Sequence, residues 1–190
     1  MIQKGMSLIE VIISTAIISI IGVLLLVIIV NSAGLFYKQS SKLSEGVNIN
    51  DIQNLIRESI KQANSIAASY TFGSTTYTSG ETQLVFKVPS IDSSNNIIAD
   101  TYDFFVFYVD NNQLRLKTFP DVASARKAQD QIISTSLDSL KFQYFDRANP
   151  AQEVTPTAAL KVKTTLTLKI KSGGNYETKT ATSEANLRND

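Results

Sequence analysis

The chain has 190 residues, with 18 basic and 17 acidic side chains, no cysteine and no histidine. A near-zero net charge gives no electrostatic footprint for nucleic acid, and the missing residues exclude disulfides, thiolate chemistry, imidazole catalysis and the usual zinc ligands. The length allows one helix and one modest domain of about 120 residues, with no room for a second catalytic domain.

In chain order, the first element is an apolar run from Met6 to Val30, preceded by Lys4-Gly5 and interrupted by one acid, Glu10. Such a run, at about 1.5 Å per residue, is long enough to cross a bilayer core with some tilt. A carboxylate within it costs on the order of 2.5 to 3.5 kcal/mol by insertion scales, so it marks a functional site that needs a partner. A secretory signal fits poorly, because Lys4 is the only leading charge, Glu10 breaks the apolar core and no small-x-small cleavage site follows promptly. Charge counting does not orient the span, with Lys4 on one side and Lys38 and Lys42 on the other.

From 31 to 69 the chain turns polar but keeps helical spacing, with Ile52, Leu55, Ile56, Ile60, Ala63 and Ala67 at intervals of three and four. This predicts an amphipathic continuation, so that helix from about Ser7 to Ala68 would reach about 90 Å. Gly34 and Gly46 weaken the interval between, where a bend or local melting is expected.

Residues 70–190 alternate as strands do. Tyr70 to Gly80 reads as a loop rich in Ser, Thr and Gly, and Thr82 to Val88 as a strand ended by Pro89. Asp92 to Asn96 reads as a turn. Phe104 to Val109 and Gln113 to Phe119 form a predicted hairpin through Asp110-Asn111-Asn112, since Asn and Asp tolerate positive φ. Val122 to Gln131 is a short helical candidate, and Leu140 to Phe145 a strand. Leu160 to Lys171 and Tyr176 to Leu187 form a last pair, turning at Ser172-Gly173-Gly174-Asn175. In the first of these, Leu160, Val162, Thr164, Leu166, Leu168 and Ile170 share one face, and Lys161, Lys163, Thr165, Thr167, Lys169 and Lys171 the other. A sheet with one apolar face needs a cover, which the stripe from Ile52 to Ala67 supplies. The fold class expected is α+β, a long amino-terminal helix packed on a carboxy-terminal antiparallel sheet.

The start of the chain resembles the class III signal of type IV pilins and type II secretion pseudopilins: a short basic leader ending in Gly5, then a helix whose fifth residue is Glu10. The resemblance implies cleavage after Gly5 by prepilin peptidase, N-methylation of Met6 and an assembly role for Glu10. It divides the chain into a leader (1–5), a transmembrane and assembly helix (6–30), an amphipathic continuation (31–69) and a β-sheet head (70–190). Met6 stands where most relatives carry Phe, and Val27 where many major pilins have a helix-breaking proline. The tail, Leu137 to Asp146, a long alternating strand and a final Asn186-Leu187-Arg188-Asn189, is similar to J-type minor pseudopilins and W-type minor pilins. The implied role is a minor structural subunit anchored in the cytoplasmic membrane, its amino terminus cytoplasmic and its head outside. Its implied partners are the peptidase, other pilin subunits, an inner-membrane assembly platform and, before assembly, lipid. Leu8, Ile9, Ile12, Ile13 and Ile17 would pack the helices together, with Ser14, Ser19 and Gly22 allowing close approach. Loss of the leader removes one of the 18 basic side chains and leaves them equal to the 17 acids.

Other readings stand beside this one. An uncleaved anchor would make the chain a tethered binding protein, and an exposed site on the head would make it an adhesin or DNA receptor. No triad, phosphate loop or helix-borne metal motif points to an enzyme, and no cofactor is implied. Two oxygen-rich clusters, Asp92, Asn95 and Asn96, and Asp110, Asn111 and Asn112, lack the spacing of a calcium loop and are explained by turns. The lysines between Leu160 and Lys171 could meet DNA, or guard an exposed strand edge. Phe104, Phe105, Phe107, Tyr108, Phe142, Tyr144 and Phe145 could form a ligand platform, but alternation makes most of them core.

Overall fold

A computed structural model of the chain describes residues 8–172 and 175–188, without the side chains of 30–47, 171 and 172. Helix α1, Leu8–Lys61, is one uninterrupted element of 54 residues, about 80 Å long at the standard rise. Gly34 and Gly46 lie within it and do not end it. It stops seven residues before Ala68, the expected end. Its last turn tightens as the Gln62 amide donates to the Ser59 carbonyl and the Ala63 amide to the Ile60 carbonyl. The chain then enters β1, Ser65–Ile66, which pairs antiparallel with a later strand at Lys87 and Phe86. Ala63 and Ala67 are buried as expected, but beyond the helix, because sheet pairing overrides helical spacing there.

The expected loop from Tyr70 to Gly80 is instead a hairpin, β2 (Ser69–Phe72) with β3 (Thr75–Thr78). Its Thr and Tyr residues favour strands, and Gly73, at φ +60°, turns the corner in the left-handed region open to glycine. Strand β4, Leu84–Ile91, runs through Pro89, the residue expected to end it. Proline is accommodated because β1 has already ended on that side and the pairing shifts register between Pro89 and Ile91. Strand β5, Ile97–Asp110, meets β6, Gln113–Phe119, through Asn111 and Asn112 at φ 47° and 60°, the turn that those residues predicted.

No helix forms over Val122–Gln131. The segment is a turn, with the Ser124 amide donating to the Asp121 carbonyl, and a loop that enters β7, Gln129–Ser134. Val122 is wholly exposed, so the segment has no apolar face to bury as a helix, and Ser124 and Arg126 are drawn to a buried acid described below. Strands β8 (Leu137–Phe145), β9 (Lys161–Ser172) and β10 (Asn175–Asn186) complete the head, with a single 3-10 turn at Pro156–Ala158. Gly173 and Gly174 of the expected last turn lie outside the described residues.

The strands form three antiparallel sheets where the sequence suggested one: β1-β4-β5-β6-β7, β10-β9-β8, and β2-β3. The chain changes sheets at Thr135-Ser136, where the Ser136 carbonyl accepts from the Lys169 amide and the Leu137 amide donates to the Asn112 carbonyl. Helix α1 packs on β9 and β10. Ile49, Ile52, Ile56 and Ile60 of its inner face share one core with Phe86 and Phe107 of the larger sheet and with Leu140, Phe142, Val162, Leu166 and Leu168 of the smaller. Leu160, expected on the core face, precedes β9 and is exposed. Gln53 locks helix to strand, its Nε2 donating to the Ala181 carbonyl at 2.8 Å and its Oε1 accepting from Ser183 Oγ at 2.6 Å. The β2-β3 hairpin closes the opposite face of the larger sheet, with Ala67, Tyr77, Val85, Val106 and Phe119 in a second core.

Ile56 is fully buried where helix and sheets meet. Ile56→Ala removes that packing and is expected to cost about 3 kcal/mol in urea unfolding of the detergent-solubilised chain. An effect below about 0.5 kcal/mol would place the helix outside the core.

Candidate functional site: the amino-terminal helix

Within α1, Leu8 to Ile29 is a candidate membrane span of 22 residues with mean hydropathy 3.0, and none of it is buried against the rest of the chain. At about 1.5 Å per residue it matches a hydrocarbon core of about 30 Å. The six consecutive residues Leu24 to Ile29 are all about half exposed or more. Six residues at about 100° each pass the whole circumference, so the surface is apolar all round, as in helices enclosed by lipid or other protein. Two hydroxyls in the span are satisfied within it: Thr15 Oγ1 donates to the Val11 and Ile12 carbonyls, and Ser19 Oγ to the Thr15 carbonyl at 2.8 Å. Such internal bonding lets polar groups enter hydrocarbon. Gly22 has open space where a Cβ would stand, so the fold of this chain places no packing demand on it.

Glu10 lies in the first turn of α1 and is exposed, where the helix macrodipole favours a carboxylate. Gly5 and Met6, the expected processing residues, lie outside the described residues, as does Lys4. The site therefore consists of one acid near the start of an exposed apolar cylinder that projects from the head.

In the head, two clusters of ionic groups are engaged in structure. The deepest is Asp103, 0% exposed, whose Oδ1 accepts from Ser90 Oγ at 2.7 Å and the Asp121 amide at 2.9 Å. Its Oδ2 accepts from Ser124 Oγ at 2.8 Å and an Arg126 guanidinium nitrogen at 2.6 Å, and the same nitrogen donates to the Pro89 carbonyl. Burial raises the carboxyl's pKa, but the bonds from Arg126, the Asp121 amide, Ser90 and Ser124 outweigh it and hold the group below its ordinary range. This cluster fastens the loop before β7 to β4 and β5. Its signal in the sequence is an acid directly before Phe104-Phe105-Val106-Phe107.

A second cluster sits on the outer face of the larger sheet. Arg115 Nε donates to Asp130 Oδ1 at 2.9 Å, Tyr108 OH donates to the same carboxylate, and Lys117 Nζ is 3.5 Å from its other oxygen. Asp92 is occupied by its own turn, accepting from the Ser94 and Asn96 amides and from Asn96 Nδ2. The lysines of β9 do not guard an edge, because β9 is the middle strand of its sheet. Lys161 pairs with Glu184 at 3.2 Å, and Lys169 lies over the Tyr176 ring. Of the aromatic residues considered as a platform, Phe107, Phe142 and Tyr144 are buried in the main core and Phe105 packs against it, while Phe104 and Tyr108 pack against the second core and Phe145 is half-buried. Compared with known proteins, the chain matches no family model and no curated protein.

Two outcomes follow from this geometry. Ile18→Arg with Ile21→Arg adds about 2.5 to 3.5 kcal/mol per charge near the middle of the span. Carbonate-washed membranes should then release the chain, with the unfolding midpoint of the head unchanged. Asp103→Asn strands Arg126 beside a buried amide and is expected to cost on the order of 3 kcal/mol at neutral pH. Because the folded pKa lies below the unfolded value of about 3.9, the stabilisation is full above that value and is lost as pH falls through the depressed one. Thermal unfolding between pH 5 and 2 should thus be less steeply pH-dependent in the variant; an unchanged slope would remove Asp103 as its source.

Proposed function

We propose that this chain is a minor pilin or minor pseudopilin, a non-catalytic subunit that leaves the membrane to join a type IV pilus or a type II secretion-like filament. The observation that carries the reading is Glu10 in the first turn of a helix that is apolar on every side and stands clear of its own head. The Lys4-Gly5-Met6 sequence ahead of it supplies a cleavage signal.

Prepilin peptidase cuts after Gly5, and Met6 becomes a methylated, positively charged amino terminus. A carboxylate at Glu10 is costly within the hydrocarbon of a bilayer. Beside the amine of Met6 on an adjacent subunit it forms a charge-assisted contact, strengthened by low dielectric, so partner choice is coupled to extraction from lipid. Dispersion contacts among Leu8, Ile9, Ile12, Ile13 and Ile17 and their counterparts then hold the bundle, and Gly22, with its open surface, admits a neighbouring backbone. The amino terminus is cytoplasmic before assembly, the head extracytoplasmic, and the inner-membrane platform drives the transfer. The head, with its compact core, gives the subunit its identity.

Intact mass and amino-terminal sequencing of the chain from native membranes test this reading. The expected product begins at N-methylated Met6, and Gly5→Arg is expected to leave the full-length chain. A wild-type product still carrying Met1 to Gly5 in a peptidase-competent cell would contradict the proposal and make the helix a permanent tether.

A further inference from the structure

The edges of the sheets are managed unequally. Beyond β1, which has only two residues, the Arg188 amide reaches the Ala63 carbonyl. Strand β8 is covered, since its Phe142 amide donates to the Glu81 carbonyl at 2.7 Å and its Tyr144 carbonyl accepts from the Val154 amide at 2.9 Å. Strand β10 is met by Gln53 of the helix and carries Glu177, Lys179 and Glu184, charges that discourage strand addition. On β7, by contrast, the run Gln131-Ile132-Ile133-Ser134 has neither charge nor proline, and among the described residues no backbone bond is made on the side away from β6. Asp130, its one acid, is turned to Arg115 and Lys117.

Beside this open edge runs a groove of about 440 Å³ between β7 and the helix, lined by Asn48, Asp51, Ile52, Leu55 and residues 131–133. Leu55 and Ile132 are 36% and 45% exposed, so apolar side chains stand at its rim. Asp51 is the only charged residue lining it and makes no ion pair among the described residues. The unpaired backbone edge calls for an extended chain, the apolar rim for alternate apolar side chains, and Asp51 for a basic one.

We infer that the β7 edge and its groove form a docking site for an extended segment of another protein, added antiparallel or parallel to β7, with apolar side chains alternating and a Lys or Arg opposite Asp51. The site lies on the head and is separate from the contacts proposed for Glu10, so either can fail without the other.

The test uses the full chain in lipid nanodiscs and, as probe, a displayed library of nine-residue peptides. Enriched peptides should alternate Val, Ile or Leu with polar residues and carry a Lys or Arg. A synthesised member should slow amide exchange at Gln129–Ser134. Asp51→Lys, an exposed position, should weaken it tenfold or more, and exchanging the peptide's basic residue for Glu should restore binding to that variant. N-methylation of alternate peptide amides should abolish binding, because strand addition depends on backbone bonds. No enrichment, enrichment without protection of β7, or undiminished binding of the N-methylated peptide would overturn the site. Ready disulfide-linked dimers of Ile132→Cys in membranes would assign the edge to a second copy and overturn the foreign strand as its occupant.

Discussion

An apolar cylinder exposed on all sides cannot remain in water. From Leu8 to Ile29 the large aliphatic side chains of the helix are exposed, and burial of each is worth about 1.5 to 3 kcal/mol. Summed over such a run, the driving force for enclosure by lipid or neighbouring helices exceeds the whole stability of an ordinary domain, about 5 to 15 kcal/mol. The remaining architecture accommodates that demand. The Thr15 and Ser19 hydroxyls bond to their own helix, Gly22 leaves an approach open, and Glu10 sits at the end where the helix dipole favours an acid.

The head is built so that the same helix can be both its core and its stalk. Ile49, Ile52, Ile56 and Ile60 give one face to two sheets, while Gln53 replaces a backbone partner at the β10 edge. Because the helix supplies core side chains, the head cannot be detached from it without opening the hydrophobic centre. Asp103 performs a comparable service on the other side of the larger sheet's end, gathering four donors onto one buried carboxylate and holding an otherwise irregular loop. A fully satisfied network of this type fixes one arrangement of the loop, since each alternative leaves a charge unpaired.

Local chemistry explains what was legible in the sequence. The candidate span is legible from its hydropathy, the β5-β6 turn from Asp110-Asn111-Asn112, and the inward face of β9 from strict alternation at Val162, Thr164, Leu166, Leu168 and Ile170. Errors arose where a distant segment decided the outcome. Ser65-Ile66 leaves helical spacing because β4 offers it a partner, and Pro89 stays in a strand because β1 is too short to oppose it. Val122 to Gln131 resembled a short helix in composition, but its polar residues are needed by Asp103, which lies far away in sequence. The division into separate sheets was not legible, since β7 and β8 are adjacent in the chain and only their partners separate them. At the candidate site Glu10 was legible by itself, because an acid amid aliphatic residues needs no structure to stand out.

In the function proposed above, Glu10 serves assembly and not insertion. The most direct measurement compares wild type and Glu10→Val in cells assembling filaments, quantifying the chain in the membrane and in sheared filament fractions. Membrane insertion should be undiminished, because the substitution removes the one charge in the candidate span, while the chain should be lost from filaments. Incorporation of Glu10→Val at the wild-type level would contradict that role.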